Sequence, residues 1–349
     1  MHSFFISANS KNGFYNLYDK VFDNRLFDKI FVIFGGPGTG KSTLMRRISA
    51  SAIKKGAEAE LFYCSSDIHS LDGVILSKGN RRVGILDGTP PHARTITSPA
   101  VKEELWDISR FWDTGSLTAS GALAETAFVA KKQAYRRAYA FLSAAGALHE
   151  EGVRLAADTF LFHKARQLAK RRVHTLTAAG VGKERLIRCY AMQGEALVSD
   201  WCEGVENIIL LRGNPYSAEN YISVFEEVLK EENREYILLR SPLNPERGDG
   251  LFFPATKTLI CKEELAKETL QGRGVHLSAF ETGGENKKQI KHLLKEERAL
   301  AAEAELALAR AGEHHFCLEK LFSSAMDFPR MQKEAMLWEK QLLGTLGLA

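Results

Sequence analysis

Residues 30–77 recur in weaker form 177 positions later in the chain. At this spacing Gly36 falls on Gly213, and the pair Asp72 and Gly73 falls on Asp249 and Gly250. The aligned segments are FGGPGTGKSTL (34–44) with LRGNPYSAENY (211–221), and AELFYC (59–64) with YILLRS (236–241). Because one spacing aligns two apolar runs and the loops between them, the sequence predicts an internal duplication.

The first copy alternates apolar runs with an amphipathic segment. Strands are predicted at residues 30–34, 58–64 and 82–86, and a helix at 42–55. Asp72 and Gly73 form a turn-type dipeptide, which predicts a loop between the last two strands. Strands separated by helices form parallel sheets with helices on both faces. We therefore expect an α/β fold with a three-layer parallel sheet in each copy.

Each copy is followed by a segment typical of long helices. Residues 117–179 are rich in Ala, Leu, Glu, Lys and Arg and contain few turn residues. A weaker repeat places FLSAAGALH (141–149) opposite ALARAGEHH (307–315), with Gly146 on Gly312. A chain of 349 residues exceeds what one core usually serves. The predicted domains are residues 1–180 and 181–349, each an α/β unit followed by helices.

The first copy carries a phosphate-binding motif between its first predicted strand and helix. Residues 35–42 match G-x-x-x-x-G-K-[ST], and this strand-loop-helix setting makes the match specific. Backbone N–H groups of such a loop surround phosphate oxygens at a helix N-terminus. Lys41 is expected to reach the β- and γ-phosphates, and Ser42 to bind Mg²⁺. The predicted nucleotide-binding residues are Gly35, Gly36, Pro37, Gly38, Thr39, Gly40, Lys41, Ser42 and Thr43.

Asp87 ends the predicted strand RRVGILD and is expected to hold Mg²⁺ together with Ser42. Many hydrolytic ATPases follow this aspartate with a water-activating glutamate, whereas this chain has Gly88. Asp67 and His92 are candidate replacements, because loops at strand C-termini face the ligand in such sheets. The alternatives are a turn-forming aspartate for Asp67 and a surface imidazole for His92.

The second copy lacks the chemistry of the first. The spacing of 177 places Ala218 on Lys41 and Glu219 on Ser42. With a small shift, KTLICK (257–262) aligns with RVGILD (82–87) and places Lys262 on Asp87. The phosphate countercharge and the metal carboxylate are then both absent. We expect no tight ATP binding here, with Glu219 pointing into a site shaped for anions.

These motifs give the chain a family resemblance. It resembles the P-loop NTPase superfamily, and within it a bacterial family of ATP-binding proteins built from two tandem P-loop domains. The segments that carry the resemblance are SFFISAN (3–9), GGPGTGKST (35–43), YCSSDIHSLDGVIL (63–76) and ILDGTPPH (85–92). The resemblance implies a duplicated P-loop NTPase-type fold, with ATP and Mg²⁺ as cofactors. The second copy departs from the family's intact motif.

Composition narrows the class of partners. The net charge of +4 gives only weak support for a nucleic-acid partner. Five scattered cysteines without a CxxC pair favour reduced thiols over a disulfide framework or a zinc site. The N-terminus lacks the features of a signal peptide, and no apolar run is long enough to span a membrane. A cytoplasmic location is expected, and a homo-oligomer stays open.

Several basic residues have two readings. The segment KARQLAKRRVH (164–174) could follow a phosphate backbone, but a solvated helix face is favoured. Arg136 and Arg137 could contact a γ-phosphate from a helical lid, although helix-surface positions are favoured. Arg212 and Arg240, at strand ends of the second copy, could supply a cation in trans to the first site.

The predicted function is Mg-dependent ATP hydrolysis by the first half, at a slow rate because the usual base is missing. The second half would then be structural or regulatory. A small-molecule or nucleotide kinase is the main alternative, with an unidentified second substrate. A nucleotide-dependent switch that recruits a partner is a further one.

Overall fold

The computed structural model describes residues 2–91, 95–198, 200, 204–266, 272–283 and 286–348. Secondary structure, contacts and burial below refer to these residues. None of the helices in this part of the chain combines the length and the apolar content needed to span a lipid bilayer.

The first half forms a six-stranded sheet, a two-stranded hairpin and five helices. Its strands are β1 (His2–Phe5), β2 (Ser7–Ser10), β3 (Gly13–Asn16), β4 (Lys29–Phe34), β5 (Glu58–Tyr63), β6 (Leu71–Lys78), β7 (Arg81–Asp87) and β8 (Glu103–Asp107). Its helices are α1 (Tyr18–Val21), α2 (Lys41–Lys54), α3 (Thr114–Ala119), α4 (Gly121–Thr159) and α5 (Phe162–Leu176). The sheet order is β1-β5-β6-β7-β4-β8, and β2 pairs with β3.

The second half repeats this topology. Its strands are β9 (Gly182–Arg185), β10 (Arg188–Ala191), β11 (Gly194–Leu197), β12 (Asn207–Arg212), β13 (Tyr236–Arg240), β14 (Gly248–Phe253), β15 (Thr258–Lys262) and β16 (Arg273–His276). Its helices are α6 (Pro215–Glu231), α7 (Lys287–Ser324) and α8 (Phe328–Thr345). The sheet order β9-β13-β14-β15-β12-β16 matches that of the first half strand for strand, and β10 pairs with β11. The structure is therefore a repeated α/β unit, as the spacing of 177 predicts.

Hydrogen bonds in equivalent loops show how closely the halves correspond. The turn after β5 is closed by Cys64 N–H donating to Ser70 O at 3.0 Å, and the turn after β13 by Ser241 N–H donating to Arg247 O at 3.0 Å. Each turn also receives the hairpin of the other half. Met192 N–H donates to Ser66 O at 2.9 Å, and Lys11 N–H donates to Leu243 O at 3.0 Å. Each hairpin therefore joins its own half to the other.

The prediction of a purely parallel sheet is wrong. β6 runs antiparallel to both neighbours, β5 and β7, while β4 is parallel to β7 and β8. The reason is the connection at Gly79 and Asn80, a two-residue hairpin turn with Gly79 at φ +57°, which is too short for a crossover. The predicted loop at Asp72 and Gly73 is also wrong, since both residues lie in β6.

Helices do not cover both faces of each sheet, which corrects the three-layer prediction. One face of the first sheet packs on α2 and α8, with Phe31 and Ile33 of β4 in the same cluster as Leu44 and Trp338. Alternate residues of β4 point to a second cluster that both halves share. That cluster also contains Phe22 from the segment after α1, and Leu210, Leu259 and Cys261 from the second sheet.

The long helices α4 and α7 pair antiparallel along their whole length. Ala124 and Ala127 lie with Leu318, and Ala138 and Ala145 lie with Ala304 and Leu308. Small alanine side chains at these positions let the helix axes approach closely, and the Ala-rich sequence has high helix propensity. At 1.5 Å per residue, the 39 residues of α4 extend about 58 Å.

The pair carries each half's last helix to the other sheet. α5, which follows α4, packs through Ala165, Ala169 and Val173 on α6 of the second half. α8, which follows α7, packs through Met331 and Trp338 on the first sheet. A boundary at residue 180 falls between α5 and β9. On each side of this boundary, the helical layer includes one helix from the other side.

The repeated glycines Gly146 and Gly312 mark where the two hairpins meet the long helices. A Cβ atom on Gly146 would lie 2.4 Å from the Cβ of Lys11, and one on Gly312 would lie 3.0 Å from the Cβ of Met192. Lys11 and Met192 are at the tips of the β2–β3 and β10–β11 hairpins. Glycine at these two positions therefore lets the hairpin tips approach the helix backbone closely, most tightly at Gly146.

We expect Gly146→Ala to lower the free energy of unfolding by about 2 kcal/mol, because the added methyl group overlaps Lys11 and forces the hairpin away from α4. Urea unfolding followed by circular dichroism measures the change. Gly121→Ala is the matched control in the same helix, since nothing lies within 4 Å of its added Cβ. Equal stability of the two variants would contradict a close hairpin contact at Gly146.

Candidate functional site

Residues 35–40, here called the glycine loop, connect β4 to α2. Gly38 and Gly40 have φ of +70° and +85°, values that glycine adopts without strain. Thr39 Oγ1 donates to Gly36 O at 2.9 Å and closes the turn. Among the described residues, no main-chain acceptor bonds the N–H groups of Gly36, Gly38 or Gly40. These donors belong to the loop that leads into the N-terminus of α2, where the helix dipole favours an anion.

Lys41 begins α2 and folds back over the glycine loop. Its Nζ donates to Gly35 O at 2.7 Å and to Gly36 O at 2.8 Å. The same Nζ lies 3.5 Å from Asp87 Oδ2, and both side chains are about nine-tenths buried. The ammonium therefore lies where it can exchange two carbonyl contacts for phosphate oxygens without leaving the loop.

Asp87 and Ser42 lie beside the loop. Asp87 ends the neighbouring strand β7, and Ser42 lies in the first turn of α2. β7 pairs directly with β4, with Asp87 opposite Ile33, so the carboxylate ends its strand beside the loop. Asp87 Oδ1 accepts from Thr89 N–H at 2.8 Å, which fixes its orientation. Ser42 Oγ accepts from Leu71 N–H at 2.9 Å. One hydroxyl and one carboxylate are hard oxygen ligands, the type that Mg²⁺ takes together with water and phosphate oxygens.

Gly88 has a steric explanation. A Cβ atom on this residue would lie 2.6 Å from Val32 Cγ1 and 2.9 Å from Phe34 Cζ. A glutamate at the position after Asp87 would therefore require the Val32 and Phe34 side chains to shift. Because β4 and β7 pair directly, no strand end lies between the glycine loop and Asp87 to provide another acid.

The two candidates for a replacement base differ in what the structure shows. Asp67 is buried in the turn after β5, where its carboxylate accepts from Ser70 Oγ at 2.7 Å and from His69 N–H at 3.2 Å. Gln193 Nε2, at the tip of the β10–β11 hairpin, donates to it at 2.7 Å. These contacts favour the turn-forming role for Asp67. His92 lies outside the described residues.

Helices from the second half enclose the glycine loop, which no sequence signal indicated. An added Cβ on Gly38 would lie 2.3 Å from Glu319 O in α7, and one on Gly36 would lie 3.0 Å from the Trp112 ring. Trp112 in turn contacts Phe322 of α7. A cavity of about 110 Å³ opens beside the loop, and its lining residues are Gly40, Thr43, Leu44, Arg47, Phe328, Met331 and Gln332.

A cation of α4 lies close to this enclosure. Lys131 Nζ lies 2.9 Å from His315 Nδ1, and His315 Nε2 lies 3.5 Å from Glu319 in the next helical turn. Burial lowers the pKa of Lys131, and Cys64 and Glu319 partly oppose this effect. The predicted lid residues Arg136 and Arg137 are exposed, and Arg137 covers the Phe141 ring. The structure therefore supports helix-surface positions for these two arginines.

The second copy has no glycine loop, because α6 begins where the loop would be. Pro215 aligns with Gly38, and proline cannot adopt the positive φ of that position. Asn214 caps the helix by accepting from Tyr216 N–H at 3.1 Å, and Pro215 occupies the first turn. The expected site shaped for anions is therefore wrong. Asn214 and Pro215, followed by an apolar helical pattern, are a typical sequence signal for the start of a helix.

An internal ion network fills the equivalent space. Lys262 ends β15 opposite Leu211 of β12, much as Asp87 ends β7 opposite Ile33 of β4. Lys262 Nζ contacts Glu219 and lies 2.7 Å from Asp249 Oδ1. Thus a lysine and a glutamate occupy the positions of Asp87 and Ser42 and bind each other directly.

His149 of α4 extends the network into the first half. Its Nε2 lies 3.0 Å from Glu219 Oε2, and its Nδ1 lies 3.2 Å from Glu297 of α7. Tyr216 Oη donates to Glu297 Oε2 at 2.7 Å. Glu219 is fully buried and its carboxylate is bound by His149 and Lys262, so it does not act as the sequence suggested. The network joins three helices, α4, α6 and α7.

The network shifts the pKa values of its members. Burial opposes a charged imidazole, but Glu219 and Glu297 outweigh it and raise the pKa of His149 to about 9. Burial alone would raise the pKa of Asp249, but Arg188 and Lys262 lower it to about 2. The pKa of Glu219 is lowered in the same way, with Lys262 and His149 outweighing burial. All these groups are therefore charged at neutral pH.

The remaining basic candidates lie in ion pairs with glutamates of the second half. Arg212 pairs with Glu263 at 3.2 Å and Arg240 with Glu184 at 2.9 Å, all within the second half. Arg166, in the basic segment of α5, pairs with Glu231 at 2.5 Å. Arg166 and Arg212 are partly exposed, whereas the Arg240 side chain is largely buried. These contacts give no support to a cation supplied in trans or to a nucleic-acid surface.

His149 should make stability depend on pH. Its pKa is about 9 in the folded protein against an ordinary 6.5. Folding therefore favours the protonated form, so the contribution is complete below about pH 6.5 and is lost as the pH rises through about 9. The free energy of unfolding of the unsubstituted protein should fall by roughly 3 kcal/mol between these two pH values because of His149. In His149→Gln this fall should be absent. Urea titrations at several pH values measure it.

His292→Gln is the control, since this histidine is exposed on α7 with a side chain 69% accessible. Its pH profile should match that of the unsubstituted protein. A profile for His149→Gln that keeps the full fall between about pH 6.5 and about pH 9 would contradict the role of this imidazole.

Comparison of the chain with protein-family models, with curated proteins and with solved structures finds no match. The functional conclusion therefore depends on the glycine loop and on the positions of Lys41, Ser42 and Asp87 around it.

Proposed function

We propose that the first half binds Mg-ATP and hydrolyses it slowly, and that the second half has a structural or regulatory role. The observation that carries this proposal is the glycine loop between β4 and α2, with Lys41 at the helix start and Asp87 3.5 Å away on the adjacent strand. The arrangement combines unbonded main-chain donors, a buried cation and a buried carboxylate at one point. This is what binding of a triphosphate and its metal requires.

Binding would change the partners of Lys41. In the structure its ammonium satisfies the Gly35 and Gly36 carbonyls. A bound γ-phosphate offers a charge-assisted contact at the same place, which is stronger than a bond to a neutral carbonyl. Ser42 and Asp87 would hold Mg²⁺, whose chemistry is to neutralise charge on the phosphate oxygens. Thr89 would keep Asp87 oriented through its N–H group.

Slow turnover follows from the surroundings of Asp87. Val32 and Phe34 leave no room for a side chain at Gly88, and the Asp67 carboxylate is engaged by Ser70 and Gln193. Positioning a water molecule supplies much of the rate in phosphoryl transfer. A site without an obvious base near Asp87 therefore supports binding with low hydrolytic activity.

A kinase is the second candidate, and one observation favours it. Trp112 and the α7 backbone at Glu319 lie directly over Gly36 and Gly38. Enclosure of this kind excludes water and favours transfer to a bound acceptor over hydrolysis. An acceptor hydroxyl would then take the place of the attacking water.

Lys41→Ala should weaken Mg-ATP binding at least about 100-fold, because it removes the cation that faces the β- and γ-phosphates. Isothermal titration calorimetry measures the affinity. Lys54→Ala, at the exposed end of the same helix, is the control and should bind as tightly as the unsubstituted protein. Ala218→Lys in the Lys41→Ala background should restore nothing, since Pro215 keeps the second copy helical. Undiminished binding by Lys41→Ala would refute the proposed site.

Asp87→Asn should retain ATP binding in the absence of metal but lose the increase in affinity that Mg²⁺ provides, because the amide cannot neutralise the cation. Titrations with and without EDTA compare the metal-free and metal-bound states.

Phosphate release by the unsubstituted protein, measured with and without candidate acceptors, separates hydrolysis, a kinase and a switch. Free phosphate from the unsubstituted protein supports hydrolysis, phosphorylated acceptor supports a kinase, and ATP binding with neither product supports a switch.

A further inference from the structure

Asp72 is a buried carboxylate that the proposed function does not use. The sequence pattern predicts a loop at this residue, whereas it is the second residue of β6, at the sheet edge where β7 ends in Asp87. Asp72 is 3% exposed and Asp87 is 6% exposed. Two buried carboxylates therefore come to the same edge of the sheet, where charge is costly unless it is compensated.

Asp72 and Asp87 are cross-strand neighbours. β6 and β7 are antiparallel, and their last pair at this edge is Gly73 with Leu86. Asp72 and Asp87 are the next position on each strand, and side chains at such opposed positions have Cβ atoms about 4.5–5.5 Å apart. Burial raises the pKa of Tyr18 well above its usual range, and Asp72 and Asp87 both add to the rise. One phenol is therefore near both carboxylates.

Ser42 approaches the same point from α2. Its Oγ accepts from Leu71 N–H at 2.9 Å, and Leu71 is the residue before Asp72. The hydroxyl that is proposed to bind Mg²⁺ is therefore held against the start of β6. Ser42, Asp72 and Asp87 thus bring three oxygen-bearing side chains from α2, β6 and β7 to one end of the sheet.

The second copy shows how side chains at these positions meet. Asp249 corresponds to Asp72 at the spacing of 177, and in both copies this aspartate is the extra residue of a β-bulge against the preceding strand. Gly250 pairs with Cys261, so Asp249 and Lys262 are the next position on each strand. Lys262 Nζ lies 2.7 Å from Asp249 Oδ1. Side chains at this step of the register therefore contact each other.

A cation occupies this point in the second copy. Besides Asp249, Lys262 Nζ contacts Glu219, which corresponds to Ser42. One ammonium group thus binds the side chains at the positions of both Ser42 and Asp72. In the first copy, the three positions carry a hydroxyl and two carboxylates. These are hard oxygen ligands, which suit Mg²⁺ or Mn²⁺.

We propose that Asp72 is a third metal-binding residue of the nucleotide site, together with Ser42 and Asp87. This inference rests on the proposed binding of Mg-ATP. In the second copy, the Lys262 ammonium takes the place of the metal ion. The second carboxylate strengthens the attraction for a divalent cation and repels a triphosphate that arrives without one. The site therefore selects ATP with its metal over ATP alone.

Asp72→Asn tests this role by isothermal titration calorimetry. The ratio of the ATP affinities with saturating Mg²⁺ and with EDTA is the gain from metal. The variant should lower this gain about tenfold or more, because it loses a metal-binding oxygen. It should bind metal-free ATP at least as tightly as the unsubstituted protein does, because it also loses a repelling charge. Equal weakening of both forms would indicate a structural role and overturn the proposal.

Asp107→Asn is the matched control. This aspartate is exposed at the end of β8, which pairs with β4 on the side away from β7, and it lies at the same edge of the sheet. Its substitution should leave the gain from metal unchanged. An equal loss in Asp107→Asn and Asp72→Asn would show a general effect of charge at this edge and overturn the specific role of Asp72.

A second measurement does not need a nucleotide. Asp87→Lys copies the second copy, in which an ammonium pairs with the aspartate of the bulge. Adding Asp72→Asn should lower the urea midpoint of Asp87→Lys more than it lowers that of the unsubstituted protein, because a buried ammonium loses its counterion. Equal changes in the two backgrounds would place Asp72 away from position 87 and overturn the proposal.

The inference and the proposed function fail separately. No heat of Mg-ATP binding to the unsubstituted protein would refute the nucleotide site, and the role of Asp72 with it. A loss of the gain from metal in Asp87→Asn but not in Asp72→Asn would leave the nucleotide site in place and overturn only the role of Asp72.

Discussion

The antiparallel pairing of α4 with α7 is the constraint on which the rest of the structure depends. Each helix starts beside one sheet and ends beside the other, and alanines along the contact let the two run together over their full length. Because of this pairing, α5 completes the second half and α8 completes the first. Neither half has its full apolar layer without a helix that belongs to the other half of the chain.

The exchange of helices makes the candidate nucleotide site a joint product of both halves. The glycine loop, Lys41 and Asp87 come from the first, whereas Glu319, Phe328 and Met331 come from α7 and α8. Motion of α7 or α8 would therefore change access to the loop. This gives the second half a physical means of influencing a loop that the first half supplies.

The two copies solve the same electrostatic problem in different ways. In the first, a buried lysine and a buried aspartate stand beside unbonded amides and can accept a charged ligand. In the second, Lys262 and Glu219 neutralise each other, and His149 and Glu297 extend the pairing. Buried charges are costly unless paired, and in the second copy these charged groups serve as counterions for one another. The network also fixes α4 and α7 against α6.

Local sequence determined the elements around the loop. The strand before Gly35, the helix after Lys41 and the strand ending at Asp87 follow from short-range apolar periodicity and from glycine at positions of positive φ. Two further features were readable and were missed. Gly79 with Asn80 indicated a hairpin, which makes β6 antiparallel, and Asn214 with Pro215 indicated a helix start in place of a loop.

The sequence by itself therefore determined the repeat, the glycine loop and the helix that begins at Lys41, because these depend on neighbours in the chain. Only the tertiary structure decided that α8 covers the first sheet, that Glu319 lies against Gly38 and that His149 bridges Glu219 and Glu297. Those contacts join residues 70 or more positions apart, and they depend on how two long helices align. No local periodicity encodes that alignment.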